Sequence, residues 1–228
     1  MTVKVLALNP APKRPRGRPP KTAEQRDDGN RRRDLVRAAA KLFRQHGYDA
    51  TTTRDIAAAV GMQSGSPFYH FGSKADLLVA VMEDGMRDGL ARVQATAQQV
   101  QDQSAARQLR ALVRTHLDVL WGPGSDFIPV MLQEWRVLKP TQTKGINALK
   151  DAYEGHWTPL LQSLKAQGRL RGDVGLVRLV LFGALNWTIK WFDARGSASL
   201  DELADAVMVM WLHDEPEPET GGGQDGTV

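Results

Sequence analysis

The sequence contains no cysteine, and this absence excludes several kinds of site. Disulfide bridges, thiolate metal ligands and a cysteine nucleophile are ruled out, and the composition fits a reducing compartment. No apolar run approaches the roughly 18 residues that a membrane-spanning helix needs. The apolar stretch 3–8 is interrupted by Lys4 and is too short for the core of a secretion signal. We therefore expect a cytoplasmic protein with no membrane partner.

Groupings of side chains typical of catalysis or metal binding are also missing. The histidines are scattered, no pair has the i, i+4 spacing of a zinc-binding helix beside a glutamate, and no paired carboxylates are evident. Catalysis needs a nucleophile, a base and an orienting group within reach of one another. The sequence therefore argues against an enzyme and predicts neither a metal nor a cofactor.

Alternation of apolar and polar residues, the pattern of a half-buried strand, is scarce, whereas helical periodicity recurs along the chain. In the first clear helix, at about 31–46, Leu35, Ala39 and Phe43 lie on one apolar stripe. The fold class predicted is all-α. Further helices are expected after Thr52, at about 64–70, from 73 to about 100, and at about 104–121, 126–138, 144–168, 173–193 and 199–213.

Charge is concentrated at the two ends of the chain. Residues 1–33 hold ten Lys or Arg against three acids, and residues 214–228 hold five acids and no base. Segments 1–29 and 214–228 are rich in Pro, Gly and charge and lack an apolar period, so both are predicted to be disordered. A basic arm on a nearly neutral body favours an anionic polymer or surface as partner. The alternative is a solubilising tail.

The segment from Thr52 to Phe71 has the parts of a helix-turn-helix. Thr52 and Asp55 have the spacing of a capping box, residues 57–59 are alanines that keep the first helix slim, and Gly61 allows the positive φ of a tight turn. An alanine-rich hairpin buried in an ordinary bundle explains the same spacing. The side chains and backbone predicted to contact DNA are Thr52, Thr53, Arg54, Gln63, Ser64, Gly65, Ser66, Phe68, Tyr69, His70 and Lys74.

Residues 33–78 closely resemble the N-terminal domain of TetR-family regulators. The matching residues are Ala39–Phe43, Gly47, Tyr48, Thr51, Thr52, Ile56, Ala57, Gly61, Gly65, Tyr69–Phe71, Ser73, Lys74, Leu77 and Leu78. The resemblance implies a helix-turn-helix DNA-binding domain at 30–76 and a helical ligand-binding and dimerisation domain at 77–213. It also implies a homodimer that binds a near-palindromic operator in double-stranded DNA, usually as a repressor, and that responds to a small-molecule effector.

Three residues depart from the family pattern in the recognition helix. The family usually has Leu or a similar residue where this chain has Pro67, Tyr where it has Phe68, and often Ser where it has Gln63. Proline is tolerated only in the first turn of a helix, so the recognition helix begins either near Ser64 or at Pro67 itself. Gln63 is a weaker cap, but its amide can bind an adenine edge.

A second DNA-binding element is predicted in the arm, where residues 14–21 (RPRGRPPK) resemble an AT-hook. Gly17 lets the backbone enter a narrow minor groove, and Arg16 and Arg18 on either side meet the negative potential of A·T tracts. The alternative is a generic electrostatic arm that touches phosphates. If the arm were the whole DNA-binding apparatus, the protein would instead be an architectural A·T-rich DNA-binding protein.

The C-terminal part is predicted to dimerise and to bind an effector. Helices 173–193 and 199–213 mix large and small apolar residues and are expected to form the homodimer interface. Segment 182–192 resembles TetR-like regulators of fatty-acid or sterol catabolism, which implies an acyl-CoA effector; another apolar or aromatic effector is the alternative. Arg171 and Lys190 are further candidates for an anionic head, and plain core packing is the alternative for the apolar residues. The candidate ligand-binding residues are Met131, Trp135, Arg136, Trp157, Leu161, Arg178 and Trp187.

Overall fold

A computed structural model describes residues 23–62, 67–122 and 126–213, with side chains described from residue 30 onwards except at 67 and 68. Within these ranges the chain forms ten α-helices and two short 3-10 turns, and no strand. The all-α prediction is confirmed. Segments 1–22 and 214–228, including the predicted arm residues Arg16 and Arg18, lie outside the described residues.

The first three helices form a small N-terminal part, and the other seven follow. The helices are α1 Ala23–His46, α2 Thr53–Ala59, α3 Pro67–His70, α4 Lys74–Gln99, α5 Ala105–Trp121, α6 Phe127–Glu134, α7 Pro140–Gly155, α8 Thr158–Ala166, α9 Val174–Trp187 and α10 Leu200–Trp211. The 3-10 turns Trp135–Val137 and Thr188–Lys190 extend α6 and α9. The long helix α4 joins the two parts and packs against α1, α5, α6 and α7.

Helix α1 begins at Ala23 and therefore extends into the segment 1–29 that was predicted to be disordered. Residues 23–26 (AEQR) are strong helix formers, and the helix continues through Gly29 into the amphipathic stretch that packs on the core. Gly47 follows the helix with φ +81 and donates its N–H to the carbonyl of Phe43, as the sequence predicts for a helix end.

The predicted single helix 144–168 is wrong, because two helices, α7 and α8, occupy this region. Pro159 lacks the N–H that would bond to the carbonyl of Gly155, so a continuous helix cannot pass through it. Helix α7 also starts earlier than predicted, with Pro140 in its first turn. The break at 156–157 turns the chain so that Trp157 is fully buried.

The core runs without interruption from the N-terminal helices into the larger part. Helix α5 contributes an apolar stripe on which Leu109, Leu112, Leu117 and Leu120 are buried, with His116 on the same stripe. On the opposite side, α5 is tied to α10 by Arg110 and Arg114, which pair with carboxylates of α10. Among the described helices none is both long and apolar enough to cross a bilayer.

Candidate DNA interface and effector cavity

Helix α2 begins with a complete capping box. The Thr52 hydroxyl accepts a hydrogen bond from the Asp55 N–H at 3.2 Å, and the Asp55 carboxylate accepts from the Thr52 N–H at 2.8 Å. The Thr52 hydroxyl also donates to the Asp55 carboxylate at 2.6 Å, and this bond, together with the one from the Thr52 N–H, holds the pKa of Asp55 below its usual range. Ile56 and Ala57 are buried, and Gly61 has φ +68 in the turn that follows. The predicted start of the helix-turn-helix and its turn glycine are confirmed.

The predicted reading surface is described only in part. Gln63, Ser64, Gly65 and Ser66 lie outside the described residues, as does the side chain of Phe68. Helix α3 is described over Pro67–His70, and the start of the recognition helix, near Ser64 or at Pro67, stays a prediction.

Solvent-facing side chains of α2 and α3 agree with a DNA-facing surface. Arg54 is exposed, Thr52 is exposed, and Thr53 is half-buried. Tyr69 is 82% exposed and makes an edge contact with the His70 ring at 5.3 Å.

Lys74, the first residue of α4, links that helix to the connection between α1 and α2. Its ammonium donates to the carbonyl of Tyr48 at 2.8 Å and to that of Thr51 at 3.0 Å, and it lies 4.0 Å from the centre of the Tyr48 ring. Two of its three hydrogens are thereby used within the protein. Contact with DNA through the third hydrogen stays a prediction.

Polar contacts also join the N-terminal part to α6. Arg44 of α1 pairs with Asp126 at 2.9 Å. The backbone N–H of Tyr48 donates to the Glu134 carboxylate at 3.0 Å. The end of α1 is therefore bonded to the start of α6, and the connection that follows α1 is bonded to the end of α6.

A cavity of about 210 Å³ lies inside the larger part. Most of its wall is apolar, and a smaller polar portion comes from α5, α7 and α9. The lining residues are Met86, Gly89, His116, Val119, Phe127, Ile128, Met131, Lys150, Tyr153, Glu154, Leu179, Phe182, Gly183 and Asn186.

Three polar residues form a hydrogen-bonded row on this wall. His116 Nδ1 lies 2.8 Å from the Tyr153 hydroxyl, and His116 Nε2 lies 3.2 Å from Asn186 Oδ1. Burial lowers the pKa of His116 to about 4 and raises that of Tyr153 well above its usual range. At neutral pH the row is therefore uncharged.

A buried carboxylate borders the row. Glu154 is 7% exposed and pairs with Lys150 at 3.0 Å and Arg178 at 3.4 Å. Arg178 also donates to the Thr158 hydroxyl at 3.3 Å. Two cations around one acid leave this group with a net positive charge.

The structure brings only some of the predicted ligand-binding residues to the cavity. Met131 lines the cavity, and Arg178 pairs with Glu154, which lines it. Trp157 is fully buried behind the wall, 4.8 Å from the Phe182 ring. The predicted residues that do not line this cavity are Trp135, Arg136, Trp157, Leu161, Arg178 and Trp187.

Sequence reasoning missed the polar row itself. His116 lies on the apolar stripe of α5, and a polar residue on such a stripe was the one available signal. Its partners are 37 and 70 residues away along the chain, and no local pattern connects them.

Helices α9 and α10 expose a large apolar surface. Leu176, Val180 and Trp187 of α9 and Val209 and Met210 of α10 are each more than half exposed. The 173–193 and 199–213 helices of the dimer prediction therefore carry an unpartnered apolar face, which is typical of an interface.

Two family models match the chain. Residues 35–81 match the model described as "Bacterial regulatory proteins, tetR family". Residues 102–214 match the model described as "Tetracyclin repressor-like, C-terminal domain".

Similar proteins match over most of the chain. The HTH-type transcriptional repressor KstR2 of Rhodococcus jostii (strain RHA1) is 26% identical over 196 residues, which cover 85% of this chain and 95% of that protein. The crystal structure of superantigen PfiT is 40% identical with a TM-score of 0.69, over 81% of this chain and 97% of that one. The structure of AibR in complex with isovaleryl coenzyme A and operator DNA is 27% identical with a TM-score of 0.71, over 79% of this chain and 97% of that one.

Proposed function

This chain belongs to the TetR family of bacterial regulatory proteins, and from that premise we propose that it is a repressor that binds a palindromic operator as a homodimer and is released by a small apolar or acyl-CoA-like effector. The family consists of DNA-binding transcriptional regulators rather than enzymes. The name of PfiT describes another activity for that protein, and a shared fold does not fix function. The proposal therefore rests on the sites of this chain.

One arrangement carries the proposal: a capped helix-turn-helix is fastened to a helical part that encloses an apolar cavity. The capping box of Thr52 fixes the start of α2, and Gly61 with φ +68 begins the turn that follows it. The contacts of Arg44 and Tyr48 with α6 link this unit to the helix that lines the cavity. A DNA-reading unit joined to a ligand cavity is the architecture that effector-controlled DNA binding requires.

The DNA-contacting surface proposed here comprises α2, α3 and the arm. Arg54 and Tyr69 are exposed and can reach phosphates, and His70 lies beside Tyr69. Gln63 to Ser66 would meet base edges, and Arg16 and Arg18 would enter the adjacent minor groove. Since operator DNA lies in the bacterial cytoplasm, we place the protein there.

We further propose that the exposed apolar face of α9 and α10 forms the dimer interface. Leu176, Val180 and Trp187 lie on one side of α9, so two copies can bury them against each other. A two-fold pair of recognition helices would explain a palindromic operator.

The effector would occupy the cavity bounded by α4, α5, α6, α7 and α9. The structure of AibR holds isovaleryl coenzyme A, which supports an acyl-type effector for this chain. The apolar wall suits an acyl group, and the net positive group of Glu154, Lys150 and Arg178 suits an anionic head.

Selection of bound sequences from random DNA with the full chain tests the proposal. A palindromic site with two half-sites about one helical turn apart is expected. Binding to A·T-rich DNA without a fixed register would overturn it and would support the architectural alternative.

The contribution of the arm is measured by replacing both Arg16 and Arg18 with Ala. Operator affinity should fall, and since the dimer loses four arginines the slope of log affinity against log salt should decrease by about 4. Replacing Lys4 and Lys13 with Ala removes the same charge outside the AT-hook-like segment and is the matched control. An equal loss in both double variants would show that the arm acts through general electrostatics.

A further inference from the structure

The polar row of His116, Tyr153 and Asn186 has hydrogen-bonding capacity left for a ligand. Both ring nitrogens of His116 are used, one by the Tyr153 hydroxyl and one by the Asn186 amide. Tyr153 and Asn186 each keep hydrogen-bonding capacity beyond that bond. Both also line the cavity, so this capacity is available to a ligand.

The tautomer of His116 and the orientation of the Asn186 amide decide which donors remain for a ligand. If His116 Nε2 donates to Asn186, Tyr153 donates to Nδ1, and the cavity then meets the Tyr153 lone pairs and the Asn186 N–H₂ donors. If the ring is the other tautomer and the amide is turned over, the Tyr153 O–H and the second N–H of Asn186 are both left as donors for a ligand. Only this second arrangement lets both residues donate to one ligand oxygen, and a bound carbonyl oxygen would select it.

The row does not favour a charged ligand group. His116 and Tyr153 are neutral near pH 7, as burial dictates, and Asn186 carries no charge. A carboxylate or phosphate placed against this wall would lose its hydration without gaining a counter-ion. The charged lining residues are Lys150 and Glu154, and the Lys150 side chain is 47% exposed, which marks the open side of the cavity.

Size further restricts the ligand. Pockets for drug-sized ligands run from about 300 to 1,000 Å³. At about 210 Å³ this cavity is smaller, and Phe127, Phe182 and Met86 bound it with bulky side chains. A short acyl group fits such a volume, whereas a four-ring fused system or a long fatty chain exceeds it.

We propose that the effector is a short acyl thioester whose carbonyl oxygen is bound by Tyr153 and Asn186, while its remainder leaves the cavity past Lys150. This inference rests on the proposed function, in which an effector controls operator binding. It adds the length of the acyl group, the atom that is recognised and the residues that recognise it.

Calorimetric titration of the full chain with four probes tests the inference. The probes are isovaleryl-CoA, palmitoyl-CoA, free CoA and S-(3-methylbutyl)-CoA, a thioether that replaces the carbonyl with a methylene. Isovaleryl-CoA should bind at least about tenfold more tightly than the thioether, because the analogue leaves buried polar groups unpaired. Palmitoyl-CoA and free CoA should also bind at least about tenfold more weakly.

Variants assign the carbonyl contact to named residues. In Tyr153→Phe and Asn186→Leu the preference for thioester over thioether should fall towards one. Tyr48→Phe, in the N-terminal part, and Asn147→Leu, at an exposed position of α7, are matched controls that should keep the full preference. If one cavity variant does not fold, as judged by its thermal transition, the other still supplies the measurement.

Equal binding of thioester and thioether by the unaltered chain would overturn the inference, and so would palmitoyl-CoA binding as tightly as isovaleryl-CoA. Full preference in a folded Tyr153→Phe protein would also overturn it. Operator binding is measured separately by fluorescence anisotropy. If no thioester binds but the operator does, this inference alone fails; if the operator does not bind, the proposed function fails.

Discussion

Two glycines of α4, Gly85 and Gly89, should respond in opposite ways to the same added methyl group. Both are buried in the interior of the helix, where replacing Gly with Ala stabilises by about 0.8–1.0 kcal/mol through helix propensity alone. Their surroundings differ. A Cβ at Gly89 would lie 3.5 Å from both Tyr153 Cε2 and Val119 Cγ1, which is ordinary van der Waals contact.

At Gly85 the same atom would lie 1.8 Å from Cγ of Phe127 and 2.5 Å from its Cβ. The clash is with the root of a ring side chain, so Phe127 can relieve it only if the start of α6 moves. Overpacking costs about 1–3 kcal/mol, and because these distances are far inside van der Waals contact the cost here is about 2–3 kcal/mol, which outweighs the helix-propensity gain. We expect Gly89→Ala to stabilise by about 1 kcal/mol and Gly85→Ala to destabilise by about 1–2 kcal/mol.

Urea unfolding at one fixed protein concentration measures both changes, because the stability of a dimer depends on protomer concentration. A Phe127→Ala background is the control: it removes the clashing ring, so adding Gly85→Ala there should become neutral or stabilising. A Gly85→Ala protein as stable as the parent, or a destabilised Gly89→Ala protein, would refute the packing argument.

Three other predictions follow from single contacts. Thr52→Ala removes the hydroxyl that accepts from the Asp55 N–H and keeps only the bond from the backbone N–H of residue 52 to the Asp55 carboxylate, so it should lower the free energy of unfolding by about 1 kcal/mol, measured by urea unfolding; an unchanged midpoint would contradict it. His116 is neutral when folded and titrates near 6.5 when unfolded, so the unfolded chain binds more protons between pH 6.5 and 4, and stability should fall by about 2 kcal/mol from pH 7 to 5. His116→Gln should flatten that part of the pH profile, and an identical profile would count against the buried neutral ring. Val180→Glu places a charge on the exposed face of α9 and should yield monomers in sedimentation velocity with loss of operator affinity, whereas an intact dimer would move the interface elsewhere.

Much of the fold could be predicted because it is encoded locally. The capping box at Thr52 and Asp55, the glycines at 47 and 61, and the apolar stripe of α1 each depend on residues only a few positions apart. Such local signals can be recognised in the sequence without any knowledge of the tertiary structure. The break between α7 and α8 was equally local, since Pro159 forbids a continuous helix, and it was missed because the apolar period continues on either side of it.

The cavity could not be predicted in the same way. Its polar row joins α5, α7 and α9, and the pairing of His116 with Asn186 arises only when distant helices pack. Aromatic residues gave a misleading signal, because Trp157 and Trp187 are equally conspicuous in sequence. The first is fully buried behind the wall and the second is 63% exposed on the outer face of α9. The residue type alone does not tell a buried tryptophan from an exposed one.

Helix α6 contacts both functional parts of the protein at once. Phe127 lines the cavity, while Asp126, directly before it, pairs with Arg44, and Glu134 at the other end accepts from the backbone N–H of Tyr48. Because interiors are close-packed, a ligand that displaces Phe127 also displaces the residue beside it. The contacts with Arg44 and Tyr48 are partly exposed and are each worth on the order of 1 kcal/mol. Coupling between two binding sites typically amounts to about 1–3 kcal/mol, so these few polar contacts are of the right size to pass effector occupancy to the DNA-binding helices.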